Sequence, residues 1–316
     1  DAIFLDPLIM PVNCKLCSSS NTKRLFTSEN IHGRRTLSRE EFSICECLDC
    51  KITFTDVCVD GDFYDRYYPC DYYESSHNIN IREYLLGFME KLSFRRKLKL
   101  ILKHKPEGNK ILEIGCGQGQ FLKSLPSTFQ KFGVEIHDKG YHYIQKNYPE
   151  INITGEDIRS ESFSSLEASY DIIVMWHVLE HIKDPESFCQ KLSTLLGENG
   201  VFIFEVPNRN SLGFRWTQKK WFHLDTPRHL FHYDLQSVRS LLGSHGLKII
   251  NYSGNAIDYW HDLSISICKR FLTKNPLSNI IIWACGLPMS FFARLFSSLF
   301  LTEVAEVNTY IVKHSS

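Results

Sequence analysis

Short apolar runs alternate with amphipathic ones along the middle of the chain, and the two periods predict a repeating strand-and-helix order. The run ending Ile111-Leu112-Glu113-Ile114 reads as a first strand, followed by a glycine-spaced turn and a helix over Gln118 to Leu125. Phe132 to Ile136 and Ile151 to Thr154 read as strands two and three. Asp171 to Trp176 is the fourth, and Val201 to Val206 the fifth, stopped by Pro207. Asp184-Pro185 opens a helix as a cap with proline in the first turn, and helical spacing returns from Leu235 to Leu242. Leu247 to Tyr252 and Asn308 to Lys313 supply two last strands. Such alternation predicts an α/β fold built on a doubly wound, mostly parallel sheet. Upstream, Leu85, Phe88, Met89, Leu92, Leu98, Ile101 and Leu102 recur at helical spacing within Ile81 to Lys105 and predict two capping helices. Leu277 to Leu301 carries Arg294 as its one charge and is broken at Gly286-Leu287-Pro288, which predicts two short apolar helices. A membrane span needs about 20 continuous apolar residues, which the break denies.

The chemistry starts at the first turn. Ile111 to Gly119 reads ILEIGCGQG and sets Glu113, Gly115, Gly117 and Gly119 where strand becomes helix. Glycines at alternate positions let the backbone bend sharply and approach a ligand, while the following helix offers unpaired N–H groups. A nucleotide-like cofactor suits that turn. Its spacing is one residue away from G-x-G-x-x-G, so the turn alone leaves dinucleotide binding open. Glu135 ends the second strand, where a carboxylate accepts hydrogen bonds from a ribose diol. Gly155-Glu156-Asp157-Ile158 follows the third, offering an acid to an adenine amino group and Ile158 to its face. The fourth strand leads directly into His177-Val178-Leu179-Glu180-His181.

In this order and spacing, ILEIGCGQG, GVEI, GEDI and DIIVMWHVLEHIKDP resemble the motifs of the class I S-adenosylmethionine-dependent methyltransferases, over roughly Lys110 to Tyr252. The resemblance implies a seven-stranded Rossmann-like sheet whose last strand runs antiparallel, inserted beside the sixth. It implies S-adenosylmethionine held at Glu113, Gly115, Cys116, Gly117 and Gly119, at Glu135 and Ile136, at Asp157 and Ile158, and beside Trp176 and His177. A Rossmann-type dehydrogenase or an inactive relic is the competing reading, and the glycine spacing and the Leu179-Glu180-His181 segment count against it.

The 316 residues, 43% hydrophobic and 23% charged, are enough for a large core plus one appended module. Lys plus Arg and Asp plus Glu are 36 each, so no overall field recruits nucleic acid. Eleven cysteines without an evident signal peptide fit a reducing cytoplasm, although the chain begins at Asp1 and a trimmed terminus stays open. Cys14-x-x-Cys17 and Cys47-x-x-Cys50 form two knuckles, each able to give two thiolates to one tetrahedral ion. Four thiolates imply structural Zn2+ in a ribbon that depends on metal for stability. Cys45 is the alternative ligand if the register differs, and unmetallated buried thiols are the bland alternative.

A zinc ribbon, an aromatic linker and this core together resemble bacterial methyltransferases acting on sugars, nucleotide-linked sugars, surface glycans and other small metabolites. Asp62 to Glu74, DFYDRYYPCDYYE, resembles the tyrosine-rich approach in that family, with Tyr72 and Tyr73 as substrate contacts; packing between ribbon and core is the other use of those rings. The next stretch carries Arg95, Arg96, Lys97, Lys99, Lys103 and Lys105, read as a solvated helix face or one meeting phosphate or an anionic membrane. After Pro207, positions 207–233 are too long for a plain connection and too aromatic for disorder, so they predict a roof over the acceptor. Trp221 and Arg228 are its substrate candidates. Methyl transfer is an SN2 step governed by positioning, and a hydroxyl acceptor must also lose a proton. A histidine suits that role. His229 is the first choice, beside Arg228; His177 is second; His223 and Asp225 follow.

The chain therefore divides into a zinc-ribbon module (1–60), an aromatic linker with capping helices (61–108), and a Rossmann-like methyltransferase domain (109–316) with the insertion 207–233 and apolar helices 277–301. For 277–301, packing on the core, a homodimer interface and peripheral membrane contact all remain open. The expected reaction moves methyl from S-adenosylmethionine to a hydroxyl of a sugar or glycan. The alternatives are an RNA methyltransferase with ribbon-based recognition and a non-catalytic assembly module.

Overall fold

The seven-strand sheet takes the order 247–254, 307–314, 196–207, 170–176, 110–114, 130–134 and 151–154, with each of these strands placed by an apolar run. In the computed structural model, residues 12–29, 40–68, 81–105, 107–161, 163, 169–255, 257–258, 261–271 and 276–315 are described. Chain order gives β1 (Thr22–Glu29), β2 (Glu41–Cys47), β3 (Thr53–Asp56), α1 (Phe63–Tyr67) and α2 (Ile81–His104). The core follows as β4 (Lys110–Ile114), α3 (Gln120–Ser124), β5 (Gln130–Val134), α4 (Asp138–Asn147), β6 (Ile151–Thr154), β7 (Tyr170–Trp176), α5 (Pro185–Leu195) and β8 (Leu196–Pro207). Then come α6 (Leu212–Thr217), β9 (Phe231–His232), α7 (Leu235–Gly243), β10 (Leu247–Gly254), α8 (Asp262–Phe271), α9 (Pro276–Phe300) and β11 (Val307–His314).

Strands β8, β7, β4, β5 and β6 are parallel, and β11 lies antiparallel between β8 and β10. Ile111, Ile172, Val174, Val201, Ile203 and Ile311 bury one face of the sheet; Leu112, Ile173, Met175, Phe202, Phe204 and Tyr310 bury the other. Burial on both faces explains why these strands read as continuous apolar runs. Strand C-termini of the parallel set define the ligand edge.

Strands β1, β2 and β3 form the N-terminal ribbon, and its sheet is completed by β9 from the long segment after β8. Phe54 pairs with Phe231 and Thr53 with His232. Thr55 donates its hydroxyl to His229 O at 2.6 Å. Ile44 of β2 packs with Phe214, Trp221 and Leu224. The ribbon and the acceptor segment thus share a sheet and a core.

Two expectations are corrected. A single helix, α2, replaces the two capping helices: Arg96 and Lys97 interrupt its apolar spacing but pair with the buried Glu205 and the half-buried Asp258 instead of breaking the helix. Likewise α9 runs through Pro288 where two short helices were expected. Side-chain contacts to α8 hold that turn, Ser290 on Ser264 at 2.8 Å and Arg294 on Asp262 at 2.6 Å. Among the described residues, no helix is long and apolar enough to cross a membrane.

Candidate active site

The turn after β4 lies at the C-terminal edge of the sheet, with Gly115, Gly117 and Gly119 all at positive φ. Gly115 has φ +70°, and a Cβ there would meet Val178 Cγ2 at 2.5 Å, so both backbone conformation and the close approach of the next loop require glycine. Gly140, in the first turn of α4, was not singled out in the sequence, yet packing requires it: its Cβ would lie 2.6 Å from Gly117 O and 2.8 Å from Glu135 Cγ. This pairing lets α4 press against the glycine turn. Cys116 is buried and caps the start of the turn through its N–H to Val134 O at 3.1 Å.

Two carboxylates flank the turn. Glu135 is buried at the end of β5, and its oxygens accept N–H bonds from Gly117 at 2.7 Å and His137 at 2.9 Å. Burial raises its pKa, with those two N–H donors opposing. Ile136 beside it is 58% exposed. Glu113 is buried on β4, and its Oε2 has no hydrogen-bond partner. Burial pushes this carboxyl up to about 8, with Lys97 pulling the other way. A buried carboxylate oxygen without a donor at a glycine turn fits a cationic ligand group.

The adenine pair departs from expectation. Arg159 donates to Asp157 through Nε at 2.9 Å and pairs with it through Nη2 at 2.5 Å; burial opposes ionisation, but these contacts draw its pKa down. Ile158 is 1% exposed and sits in the main apolar cluster, so it does not present a face to the crevice. Trp176, at the end of β7, stands edge-on to Phe121 at 5.5 Å with Lys97 Nζ 4.4 Å from its ring centroid. Its buried indole N–H lacks a partner.

His177 follows directly, with φ +56°, a strained conformation for a side-chain-bearing residue of the kind that collects at functional sites. Its Nδ1 lies 3.3 Å from Glu180 Oε1, and its ring stacks on His223 at 6.2 Å and 7°. His223 places Nε2 2.6 Å from Asp262 Oδ2, and Asp262 is in turn paired with the buried Arg294. Burial raises Asp262 to about 6 against the pull of Arg294. Glu180 is also fully buried; burial opposes its ionisation, yet the His177 contact outweighs it and the pKa falls to about 2. Asp262 and Arg294 were missed as site residues because their partners lie on separate elements, whereas Glu180, three residues from His177, was passed over within the Leu179-Glu180-His181 segment.

His229 does not have the properties of a general base. It is buried, its Nδ1 lies 2.8 Å from His223 O, and burial with His181 nearby lowers its pKa to about 3. Its position between Asp225 at 3.7 Å and the ribbon sheet makes it a packing imidazole. Asp225 is committed to Arg228 at 2.6 Å, which leaves Arg228 paired within its own turn. Trp221 is fully buried and donates Nε1–H to Glu306 at 2.9 Å, so it supports the roof from behind instead of lining it. His181 lies between Tyr68 OH at 2.8 Å and Arg228 O at 3.0 Å. Tyr72 and Tyr73 fall outside the described residues. Arg96 and Lys97 leave the expected solvated face. Arg96 pairs with Glu205 and Asp258, and Lys97 lies 3.5 Å from Asp258; despite burial, these two cations hold Asp258 well below the carboxylate range.

At the ribbon, Cys14, Cys17, Cys47 and Cys50 bring their sulfurs within 4.8 Å of one another. Cys14 and Cys50 are 3.7 Å apart and Cys17 and Cys47 3.6 Å. A tetrahedron of Zn–S bonds of about 2.3 Å has edges of about 3.8 Å. Both knuckles have the same backbone: Ser18 N–H returns to Cys14 O and Lys51 N–H to Cys47 O, each at 3.0 Å, with Ser18 and Lys51 at positive φ. Cys45 lies outside the four, buried, with its thiol pushed up to about 11 by burial and by Asp56.

The sheet order, the glycine turn and its flanking carboxylates define a nucleotide-binding α/β fold of the methyltransferase kind. A family model described as a methyltransferase domain matches residues 85–252, and the chain belongs to that family. A probable S-adenosylmethionine-dependent methyltransferase of Mycolicibacterium smegmatis is 29% identical over 112 residues, 34% of this chain and 42% of that protein. A ubiquinone biosynthesis O-methyltransferase of Chromobacterium violaceum is 30% identical over 112 residues, covering 34% and 48%. The chain spans about half the length of the curated relatives it matches. A SAM-dependent methyltransferase structure from Archaeoglobus fulgidus aligns over 73% of this chain and 99% of that one, with a TM-score of 0.47 and 19% identity.

Proposed function

We propose that this chain transfers a methyl group from S-adenosylmethionine to a hydroxyl of a small acceptor, a sugar or nucleotide-linked sugar, with His177 as the base. The carrying observation is the arrangement at the end of β7: a strained histidine, held by the buried Glu180 and stacked on an Asp262-bound His223. Family membership supports the cofactor, and the relatives named as ubiquinone biosynthesis O-methyltransferases share oxygen as the acceptor atom.

Bound S-adenosylmethionine would supply an activated methyl on a sulfonium. Glu113 and the glycine turn hold its methionine part, Glu135 its ribose, and Trp176 borders the reacting end. Glu180, 3.3 Å from Nδ1, orients the His177 ring and would stabilise the imidazolium formed when His177 takes the acceptor proton. His223 keeps that ring from turning over by stacking on it. The four ribbon cysteines bind one structural Zn2+, which anchors β3 and through it β9, next to the roof.

The test is incubation with methyl-labelled cofactor and a panel of nucleotide sugars, glycans, phenols and RNA. Label on a sugar hydroxyl, lost in His177→Gln, is the expected result; label on RNA alone would replace this reading with the RNA one.

A further inference from the structure

The C-terminal half of helix α9 is built inside out. Among its described side chains, Ser290, Arg294, Ser297 and Ser298 are buried, at helical spacing on one face. Ser290 bonds Ser264, and Arg294 binds Asp262 and donates to Asn255 O at 3.1 Å. The opposite face presents Met289 (72% exposed), Phe292 (65%), Phe296, Leu299 and Phe300 (69%) to the outside. A helix in water turns these faces the other way, because exposing large apolar side chains forfeits roughly 25 cal/mol for each Å² left unburied. Beside this face, a cavity of about 780 Å³ opens between α6, α8 and α9, with Trp216, Ile267, Phe271 and Met289 among its walls. Phe271 and Trp216 are themselves more than half exposed.

Charge identifies the occupant. Arg215 and Arg270 border that cavity, and Lys219, Lys220 and Lys269 extend the same surface. Lys220 lies close enough to Lys269 to depress its pKa, after burial. Across α6, the turn 218–220, α8 and α9, the only acid is Asp262, which is buried and paired with Arg294; Asp225, which also faces Lys269, is itself paired with Arg228. A two-fold dimer would set this cationic rim against itself, whereas an anionic surface satisfies both the rim and the apolar row.

We infer that the exposed face of α9, with the rim of Arg215, Lys219, Lys220, Lys269 and Arg270, docks in plane on an anionic lipid bilayer. Phe292, Phe296 and Phe300 enter the acyl boundary while the cations lie at headgroup level. Nothing in this contact depends on which acceptor is methylated.

The test is flotation of the whole protein with phosphatidylcholine vesicles prepared with and without phosphatidylglycerol, at low and high salt. The protein should float with the anionic vesicles only, and less at high salt. The double variant Phe292→Glu/Phe296→Glu should abolish flotation, and Arg215→Gln/Arg270→Gln should cut the partition coefficient on the order of tenfold. The charge variant covers the case in which the glutamates disturb folding. Absence of flotation with either vesicle, or equal flotation of the Arg215→Gln/Arg270→Gln variant, would overturn the proposal. So would a wild-type dimer that ignores vesicles and dissociates on the phenylalanine changes, since a second copy would then cover the face.

Discussion

Glu113 offers the most informative perturbation, because its charge should follow cofactor binding. In the free protein, burial holds this carboxyl at about 8, so at pH 7 roughly nine-tenths of molecules carry it neutral. An ammonium group brought to its unpartnered Oε2 favours the ionised form. Binding at pH 7 should therefore release close to one proton. Cofactor affinity should rise with pH by up to tenfold per unit, about 1.4 kcal/mol, and level off above about pH 8. Calorimetric titration with S-adenosylhomocysteine in two buffers of different ionisation enthalpy counts that proton directly. Glu113→Gln keeps the shape, and should reduce the count by about one while weakening binding most at high pH. The same shift has a stability consequence without ligand. A raised carboxyl pKa stabilises the fold fully below about 4.5 and loses that contribution as pH climbs through about 8, so Glu113→Gln should be the more stable protein at pH 9. A proton count that is zero in wild type, or unchanged in the variant, would refute the placement of a cation at Glu113.

Three other predictions concern different parts of the molecule. His177→Gln should lower kcat by about 10² to 10⁴ with cofactor affinity retained, whereas His229→Gln should act mainly on stability; steady-state kinetics beside denaturant unfolding separates the two. His229 and His232 are both held at about 3 by burial, below their value in the unfolded chain. Their contribution is present above about pH 6.5 and lost as pH falls through the folded values, by up to about 1.4 kcal/mol per unit for each ring; unfolding from pH 7 to 4 should show that slope, reduced in His229→Gln. Chelation should remove about one Zn2+ per chain and abolish turnover while sparing cofactor binding, because β9 depends on β3 and the glycine turn does not. Metal analysis that finds no zinc in protein prepared without chelator contradicts the ribbon centre.

Legibility in the sequence followed how local each cause is. The strands could be read because burial on both faces leaves uninterrupted apolar runs such as Ile172 to Met175. The glycine turn and the two cysteine knuckles could be read because their geometry is set within a few residues. Histidine roles could not. Identical imidazoles at 177 and 229 diverge through contacts with Glu180, His223 O and the ribbon sheet, the last of them brought in by the tertiary fold. Trp221 looked like an acceptor contact until Glu306, from just before β11, claimed its N–H. Arg96 and Lys97 read as a solvated pair because Glu205 and Asp258, their partners, arrive from distant segments. Glu180 was visible only as part of a motif, and Asp262 not at all.

The central claim is that the crevice beside Ile111 to Gly119 and Glu135 holds S-adenosylmethionine. Equilibrium titration of wild type and Glu135→Gln with S-adenosylhomocysteine tests it most directly. One equivalent should bind to wild type, at least tenfold more weakly to the variant, with nicotinamide dinucleotides giving no signal. Tight binding of a nicotinamide dinucleotide, or equal affinity in both proteins, contradicts it.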